Sequence, residues 1–325
     1  MNSNWKRRSA LLAAVSLAAL ATSAMAQQRL FFGIATGGTG GTYYPLGGML
    51  AQLISNKATV DGKKISATAE AAGASVANAK LLGNKDIESA FVAADILDAA
   101  YNGKGQFDKA PIKNLRALGA LYPETVQLIT RADSGINSVR DLKGKSISSG
   151  APGSGQYQLL TDLLKVYGLA RSDIKEDLSS FTQAVDKIKD GNLHATLITA
   201  GVPTAAVTDF AQSHALKVIP LAGSEIGELL KQQPYYTRVQ LPANSYKGQT
   251  APVDTLAVMA VWTTHDAVPD NVAYEVTKAL YENTAIMGQV HVQGKNIQLS
   301  TATAVGTVPL HPGALRYFKE KGIVK

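Results

Sequence analysis

The sequence predicts an α/β protein with two lobes, and three features of the chain support this fold class. Segments with the composition of buried strands alternate with amphipathic helical segments, a pattern typical of α/β proteins with largely parallel pairing. Two units of strand, glycine-rich turn and helix begin about 115 residues apart. Strand-like stretches around residues 116–130 and 255–264 are placed to carry the chain from one lobe to the other and back.

The first lobe is predicted to begin with a buried strand, LFFGIA at residues 30–35. The polar turn TGGTGGT follows and leads into a helix, YPLGGMLAQLISNK, with apolar residues at helical spacing. A second strand is predicted at residues 65–71, and then a helix with Ser75 as its N-cap and Gly83 as its stop. The stretch IESAFVAADILDAAYNGKG adds one more strand and one more helix.

Two short strands, at residues 116–121 and 126–130 with Pro123 between them, are predicted to lead into the second lobe. There a strand at residues 146–149 runs into the turn APGSGQ and a helix over residues 155–167. This unit repeats the arrangement at the start of the chain, although the two sequences are not similar.

The rest of the chain is predicted to complete both lobes. Gly191 stops a helix before a short strand and the polar turn TAGVP. Residues 255–264, TLAVMAVWTT, form the return strand, and two helices end the chain. The predicted first lobe is residues 27–122 plus 258–325, the predicted second lobe is residues 123–257, and a ligand cleft is expected between them.

Residues 1–26 have the pattern of a cleavable signal peptide. Three basic residues precede an apolar run at residues 10–21, and Ala24-Met25-Ala26 supplies the small residues of a cleavage site. Cleavage after Ala26 is therefore predicted, and the mature chain is expected to be exported.

Composition limits the possible functions. The 325-residue chain has no cysteine, which excludes disulfides, thiol catalysis and cysteine-ligated zinc. The net charge of +7 includes the three basic residues of the leader, which leaves +4 for the mature chain, and there is no long basic run. Nucleic-acid binding is therefore not expected, and a small anion is only weakly favoured.

The glycine-rich turn does not match the nucleotide-binding loops. No lysine follows its glycines, as a P-loop requires, and Tyr43 stands where a dinucleotide fingerprint has its third glycine. The G-x-S-x-G nucleophile elbow is missing, and the five histidines are scattered without zinc-ligand spacing. We therefore predict no catalytic residue, no metal site and no cofactor.

Two helix starts suited to anion binding remain, GGTGGTYYP and APGSGQYQ. A helix N-terminus has free N–H groups and about half a positive charge. Glycines let a ligand approach the backbone, and hydroxyl side chains add donors. If the two turns belong to facing lobes, both can hold one carboxylate-bearing ligand. The alternative is that the glycines only make tight turns.

Several stretches carry a family resemblance: IATGGTGGTYYPLGGMLAQLI, GASVANAKLL, FVAAD, LRALGALYPETVQLITRADSGI, DLKGKSISSGAPGSG, AGVPTAAV, PYY and PLHPGALRYFKEKG. Together they resemble the TAXI family of solute receptors of TRAP transporters. The resemblance implies a two-lobe periplasmic binding protein with two crossing strands, each lobe being a mixed sheet flanked by helices. It also implies a monomer that binds a carboxylate such as glutamate or 2-oxoglutarate and delivers it to an ion-driven permease. A receptor of the same fold that serves an ABC importer or a sensor system is the alternative.

The resemblance also implies the ligand-binding residues, by their positions in these motifs. They are Thr36, Gly41, Thr42, Tyr43, Ser75, Asn78, Ala93, Gly153, Ser154, Gly155, Gln156, Thr199, Ala200 and Gly201. No arginine lies in these turns, so neutral donors and helix ends are expected to hold the carboxylate instead of an arginine fork. Arg131 and Arg140 are expected on the solvated surface. The sequence leaves undecided whether Tyr235 and Tyr236 cover the pocket or lie on the surface.

Overall fold

The structure is a computed structural model that describes residues 30–325, so the predicted signal peptide lies outside the described residues. The strands are β1 (Leu30–Ala35), β2 (Thr59–Val60), β3 (Lys63–Glu70), β4 (Ser89–Ala93), β5 (Leu115–Arg131), β6 (Ser146–Ser148), β7 (Lys175–Asp177), β8 (Ala195–Ala200), β9 (Leu216–Ile219), β10 (Tyr236–Leu241) and β11 (Val253–His265). The α-helices are α1 (Tyr43–Lys57), α2 (Ser75–Asn84), α3 (Ala94–Asn102), α4 (Gln156–Val166), α5 (Phe181–Lys189), α6 (Ala205–Ser213), α7 (Gly223–Gln232), α8 (Asp270–Tyr281), α9 (Thr284–Met287) and α10 (Pro312–Glu320). None of the helices in this range has the length and apolar content needed to cross a membrane.

The strands form one mixed sheet in the order β2-β3-β1-β4-β11-β5-β8-β6-β7, with β10 beside β11 and β9 beside β5. Parallel pairs stand toward its two ends, among β3, β1 and β4 and among β8, β6 and β7. Antiparallel pairs occupy the middle, because β5 and β11 run in opposite directions there. The sheet is therefore mixed rather than largely parallel. The predicted fold class, a mixed sheet flanked by helices with two crossing strands, is confirmed. We call β1–β4 the first strand group and β6–β9 the second strand group.

The two strands predicted on either side of Pro123 are one continuous strand, β5. Pro123 lies opposite Met259 of β11, beside a register shift between Met259 and Val261. A proline cannot donate a ladder hydrogen bond, but it is tolerated at such an irregularity. The strand therefore continues through it, pairing its first half with β11 and its second half with β8.

Both ends of α2 differ from the predicted ones. Ser75 is the first helical residue instead of the N-cap, and its Oγ accepts a hydrogen bond from the Ala93 N–H at 3.0 Å. The helix continues past Gly83 and ends where Lys85 takes a left-handed φ of 65°. A Cβ at Gly83 would lie 2.7 Å from the side chain of Ile112. The serine and the glycine therefore serve packing against neighbouring segments, and neither marks a helix end.

The buried apolar side chains form three clusters that hold helices on both faces of the sheet. One cluster packs α1, α8 and α10 against β1 and β11, and it includes Leu50, Trp262 and Tyr317. A second extends from α2 and α3 to α4, and a third packs α5 and α6 against β8. The second cluster includes side chains of both strand groups, so it connects the two halves of the sheet.

Candidate functional site

A cavity of about 290 Å³ lies where the loops after the first strand group face the loops of the second strand group. It is lined by the glycine-rich turn before α1, the loop before α2, the junction of β4 and α3, and the loops before α4 and α5. Side chains of β5, β8, β10 and β11 complete the wall. A cavity of this size suits a small organic ligand.

Most of the ligand-binding residues predicted from the sequence line this cavity. They are Gly41, Thr42, Tyr43, Ser75, Ala93, Ser154, Gly155, Gln156, Thr199 and Ala200. The structure thus brings together the two glycine-rich turns, which are more than a hundred residues apart in the chain.

The other four predicted residues lie behind the cavity wall. The Thr36 hydroxyl donates to the Glu70 carbonyl at 2.7 Å, and the Asn78 amide donates to the Thr36 carbonyl at 2.8 Å. Gly153 and Gly201 present their carbonyl oxygens to the opposing loops. These four residues position the turns that line the cavity.

Helix starts surround the cavity. They are those of α1 at Tyr43, α2 at Ser75, α3 directly after Ala93, α4 at Gln156 and α5 at Phe181. Two of these starts already have acceptors. The Gly153 carbonyl accepts hydrogen bonds from the N–H groups of Val76 and Ala77 in α2 at 2.9 and 3.0 Å, and the Ser180 hydroxyl accepts one from the Gln183 N–H in α5. First-turn N–H groups have no acceptor inside their own helix, and they carry partial positive charge. The arrangement favours negative charge in the cavity.

Five buried side-chain atoms at the cavity have no hydrogen-bond partner within residues 30–325. They are Asp95 Oδ1, Tyr122 OH, Ser154 Oγ, Gln156 Oε1 and Thr199 Oγ1. Buried polar atoms in folded proteins almost always have a partner, because an unpaired one costs about 1–3 kcal/mol. All five atoms belong to residues that line one cavity, and this favours a polar ligand.

Two carboxyl groups that were not among the predicted site residues also line the cavity. Glu124 lies on β5 and accepts a hydrogen bond from the Tyr43 hydroxyl at 2.5 Å. Asp95 lies in the first turn of α3 and accepts one from the Tyr236 hydroxyl at 2.8 Å. The motifs FVAAD and LYPETV contain these residues. An acidic residue next to or inside a buried strand was the signal that could have identified them.

The electrostatics of the site shift the pKa of both carboxyl groups upward. Burial raises the pKa of Glu124 to about 8, against the lowering effect of the Tyr43 hydrogen bond, and Asp95 raises it further. Burial also raises the pKa of Asp95. None of the lining residues within 30–325 is a lysine, an arginine or a histidine. Glu124 is therefore mainly neutral at pH 7.

This raised pKa predicts how stability depends on pH. An ordinary glutamate pKa of 4.5 in the unfolded chain means that, between pH 4.5 and 8, the folded state holds more protons at this site. The stabilisation is full below about pH 4.5 and is lost as the pH rises toward 8. Glu124→Gln stays neutral over this range and does not lose this stabilisation. Relative to the unchanged protein, its free energy of unfolding is therefore expected to rise by about 1–2 kcal/mol as the pH goes from 5.5 to 7.

Urea unfolding at the two pH values measures this difference. Glu228→Gln is the matched control, because Glu228 is exposed and pairs with Lys231 on the surface. Parallel pH dependence of the unchanged protein and Glu124→Gln would contradict a neutral Glu124.

Loops of the two strand groups touch each other around the cavity. The Thr42 hydroxyl donates to the Gly201 carbonyl at 3.1 Å, and the Ala206 N–H donates to the Gly40 carbonyl at 3.1 Å. A Cβ at Gly40 would collide with the Thr182 hydroxyl, so this contact requires a glycine. These contacts join the loops of the two strand groups beside the cavity.

The structure shows where the two tyrosines and the two arginines with undecided roles lie relative to the cavity. Tyr236 lines the cavity, whereas Tyr235 lies against Gly306 outside it. Arg131 pairs with Asp133, and Arg140 pairs with Glu225. Neither arginine reaches the cavity.

Comparison with known proteins agrees with this architecture. The model of the NMT1-like family matches residues 34–322. Among solved structures, the chain is similar to the periplasmic aliphatic sulphonate binding protein SsuA from Escherichia coli, with 16% identity, 89% of this chain and 78% of that chain covered, and a TM-score of 0.50. It is also similar to a protein from Bordetella bronchiseptica RB50, with 15% identity, coverages of 90% and 98%, and a TM-score of 0.54. The fold is that of the two-lobe periplasmic solute-binding proteins.

Proposed function

This chain belongs to the NMT1-like family, and from that premise we propose that it is a transport receptor that captures a small organic anion. A carboxylate of the size of glutamate or 2-oxoglutarate is the first candidate ligand. The observation that carries the proposal is a cavity surrounded by helix starts and lined by Tyr122, Ser154 and Thr199, whose hydroxyl groups have no hydrogen-bond partner within residues 30–325. Such a site binds anions through neutral donors and helix dipoles.

Both strand groups and β5 supply the proposed contacts. The first turn of α1 offers the N–H groups near Thr42 and Tyr43, and the first turn of α4 offers those near Gln156. The side chains of Ser154 and Tyr122 add hydroxyl groups that have no other partner within residues 30–325. The other predicted residues line the cavity or position the turns that line it.

Lobe closure is the proposed mode of capture. The lobes are residues 27–122 plus 258–325 and residues 123–257, joined by β5 and β11. Closure brings the turn before α1 against the loop at Gly201, and it is reversed by bending of the two crossing strands. The receptor acts without chemistry on its ligand, as a periplasmic monomer after removal of residues 1–26.

The proposed partner is a membrane permease of the TRAP type, on the strength of the TAXI resemblance. The alternative is a receptor of the same fold that serves an ABC importer or a sensor. A neighbouring gene for a TRAP membrane subunit supports the first reading, and a neighbouring ATPase and permease pair supports the second.

A thermal-shift screen of the mature protein tests the ligand class. Dicarboxylates, amino acids, alkanesulfonates and neutral sugars are compared at equal concentration and neutral pH. A ligand present at about 100 times its Kd stabilises the folded state by about 2.7 kcal/mol. We expect carboxylates to raise the unfolding temperature.

The other compounds in the screen decide between ligand classes. A shift with alkanesulfonates alone would support an anion receptor whose ligand is a sulfonate instead of a carboxylate. The name of the Escherichia coli protein also contains a sulphonate ligand. A shift with sugars alone would contradict the anion proposal.

A further inference from the structure

The cavity combines two features that oppose each other. Helix starts around it favour an anion, yet Glu124 and Asp95 face the same space with no basic side chain among the lining residues of 30–325. Two unit charges of the same sign about 4 Å apart at an effective dielectric constant near 20 weaken binding by roughly a thousandfold. An ionised glutamate would therefore expel the anion that the helix starts attract.

The surroundings of Glu124 determine the charge state of its carboxyl group. The titratable groups that face it are Tyr43 on α1, Asp95 on α3, Tyr122 on β5 and Tyr236 on β10. All of them are acids, so none can neutralise a carboxylate. Burial, the largest effect, raises the pKa of Glu124 to about 8, and Asp95 adds to it. The carboxyl group is thus held in its neutral form near neutral pH.

The geometry leaves one side of this carboxyl group available. Glu124 Oε1 accepts the Tyr43 hydroxyl at 2.5 Å, and Oε2 has no hydrogen-bond partner within residues 30–325. A neutral carboxylic acid carries one O–H donor. With the Tyr43 hydroxyl as the donor to Oε1, the proton of the neutral group is carried by Oε2, which is then the atom available to donate to a ligand.

We propose that Glu124 is a ligand-binding residue that acts in its neutral form, donating a hydrogen bond from Oε2 to the anionic group of the ligand, so that ionisation of this side chain releases the ligand. The inference rests on the proposed function, because it requires an anion in the cavity. It makes Glu124 a determinant of specificity as well. A ligand whose ammonium group needed an ionised glutamate would be disfavoured at this position.

The experiment measures the Kd of two probes by isothermal titration calorimetry between pH 6.5 and 9.5. Glutarate has two carboxylates and no amino group, whereas L-glutamate has both. For the unchanged protein we expect the affinity for glutarate to be constant up to about pH 7.5 and to fall about tenfold per pH unit above pH 8. Glu124→Gln keeps an N–H donor at this position and cannot ionise, so its affinity for glutarate is expected to show no such fall.

A control variant and two opposing results test the role of Glu124. Glu228→Gln, at the exposed pair with Lys231, should reproduce the pH dependence of the unchanged protein. Binding of glutarate that does not weaken above pH 8, or L-glutamate binding that strengthens with pH and is lost in Glu124→Gln, would overturn this inference and leave the anion receptor standing. Failure of both probes to bind at pH 6.5 would contradict the carboxylate receptor itself, and the inference with it.

Discussion

Replacing Gly153 with valine is expected to weaken ligand binding about 10- to 100-fold while the protein remains folded. The Gly153 carbonyl accepts two hydrogen bonds from the start of α2, so this residue joins the two strand groups at the cavity. A Cβ at this position would lie 3.0 Å from the Ala77 Cβ and 3.4 Å from the Gly73 carbonyl oxygen. In the proposed lobe opening these loops separate, so the substitution is expected to favour the open form. Calorimetric titration with the best ligand of the thermal-shift screen measures the loss.

A second glycine provides the matched control for this variant. Gly153 and Gly168 both have a left-handed φ, of 87° and 75°, so valine strains the backbone at either position. A Cβ at Gly168 would meet nothing within 4 Å. Gly168→Val should therefore lose similar stability without the loss of affinity. Equal affinity losses in the two variants would show that backbone strain, and not the closing contact, causes the effect.

Trp262→Ala is expected to reduce the free energy of unfolding by about 3–5 kcal/mol. Trp262 is fully buried on β11, with 0% of its surface exposed. Its ring meets the edge of Phe32 with 6.3 Å between ring centres. Removal of so large a side chain leaves a cavity that the packed sheet and helices cannot collapse to fill. Urea unfolding followed by circular dichroism measures the loss, since the variant lacks the tryptophan fluorescence of the mature chain.

Phe31 is the control for this substitution. It lies on β1 next to Phe32, but 76% of its surface is exposed. Phe31→Ala should change the free energy of unfolding by less than about 0.5 kcal/mol. A loss below about 1 kcal/mol for Trp262→Ala would contradict the tight packing around Trp262.

The sequence predicted the half of the site that is made by the backbone. The turns at Gly41 and Gly155 could be recognised because glycine, hydroxyl residues and a following helix lie next to each other in the chain. Glu124, Asp95 and Tyr236 could not be found in this way. An acidic residue next to or inside a buried strand marks Glu124 and Asp95 as candidates. Their role, however, depends on burial and on partners such as Tyr43 that lie far away in sequence.

Some local signals were misleading for a similar reason. Ser75 and Gly83 have the residue types of a helix start and a helix stop, but the structure uses the Ser75 hydroxyl for the Ala93 N–H and the small size of Gly83 against Ile112. Proline often interrupts a strand, but β5 continues through Pro123 because the residues around it pair with β11.

The sequence by itself determined the α/β class, the crossing strands and the two turns, because periodicity and turn chemistry are properties of neighbouring residues. Only the tertiary structure decided that these turns share one cavity, that two carboxyl groups face it, and that no basic side chain among residues 30–325 lines it. The physical reason is that the charge state of a group follows from its burial and from the charges around it. Both are set by residues that the chain brings together only on folding.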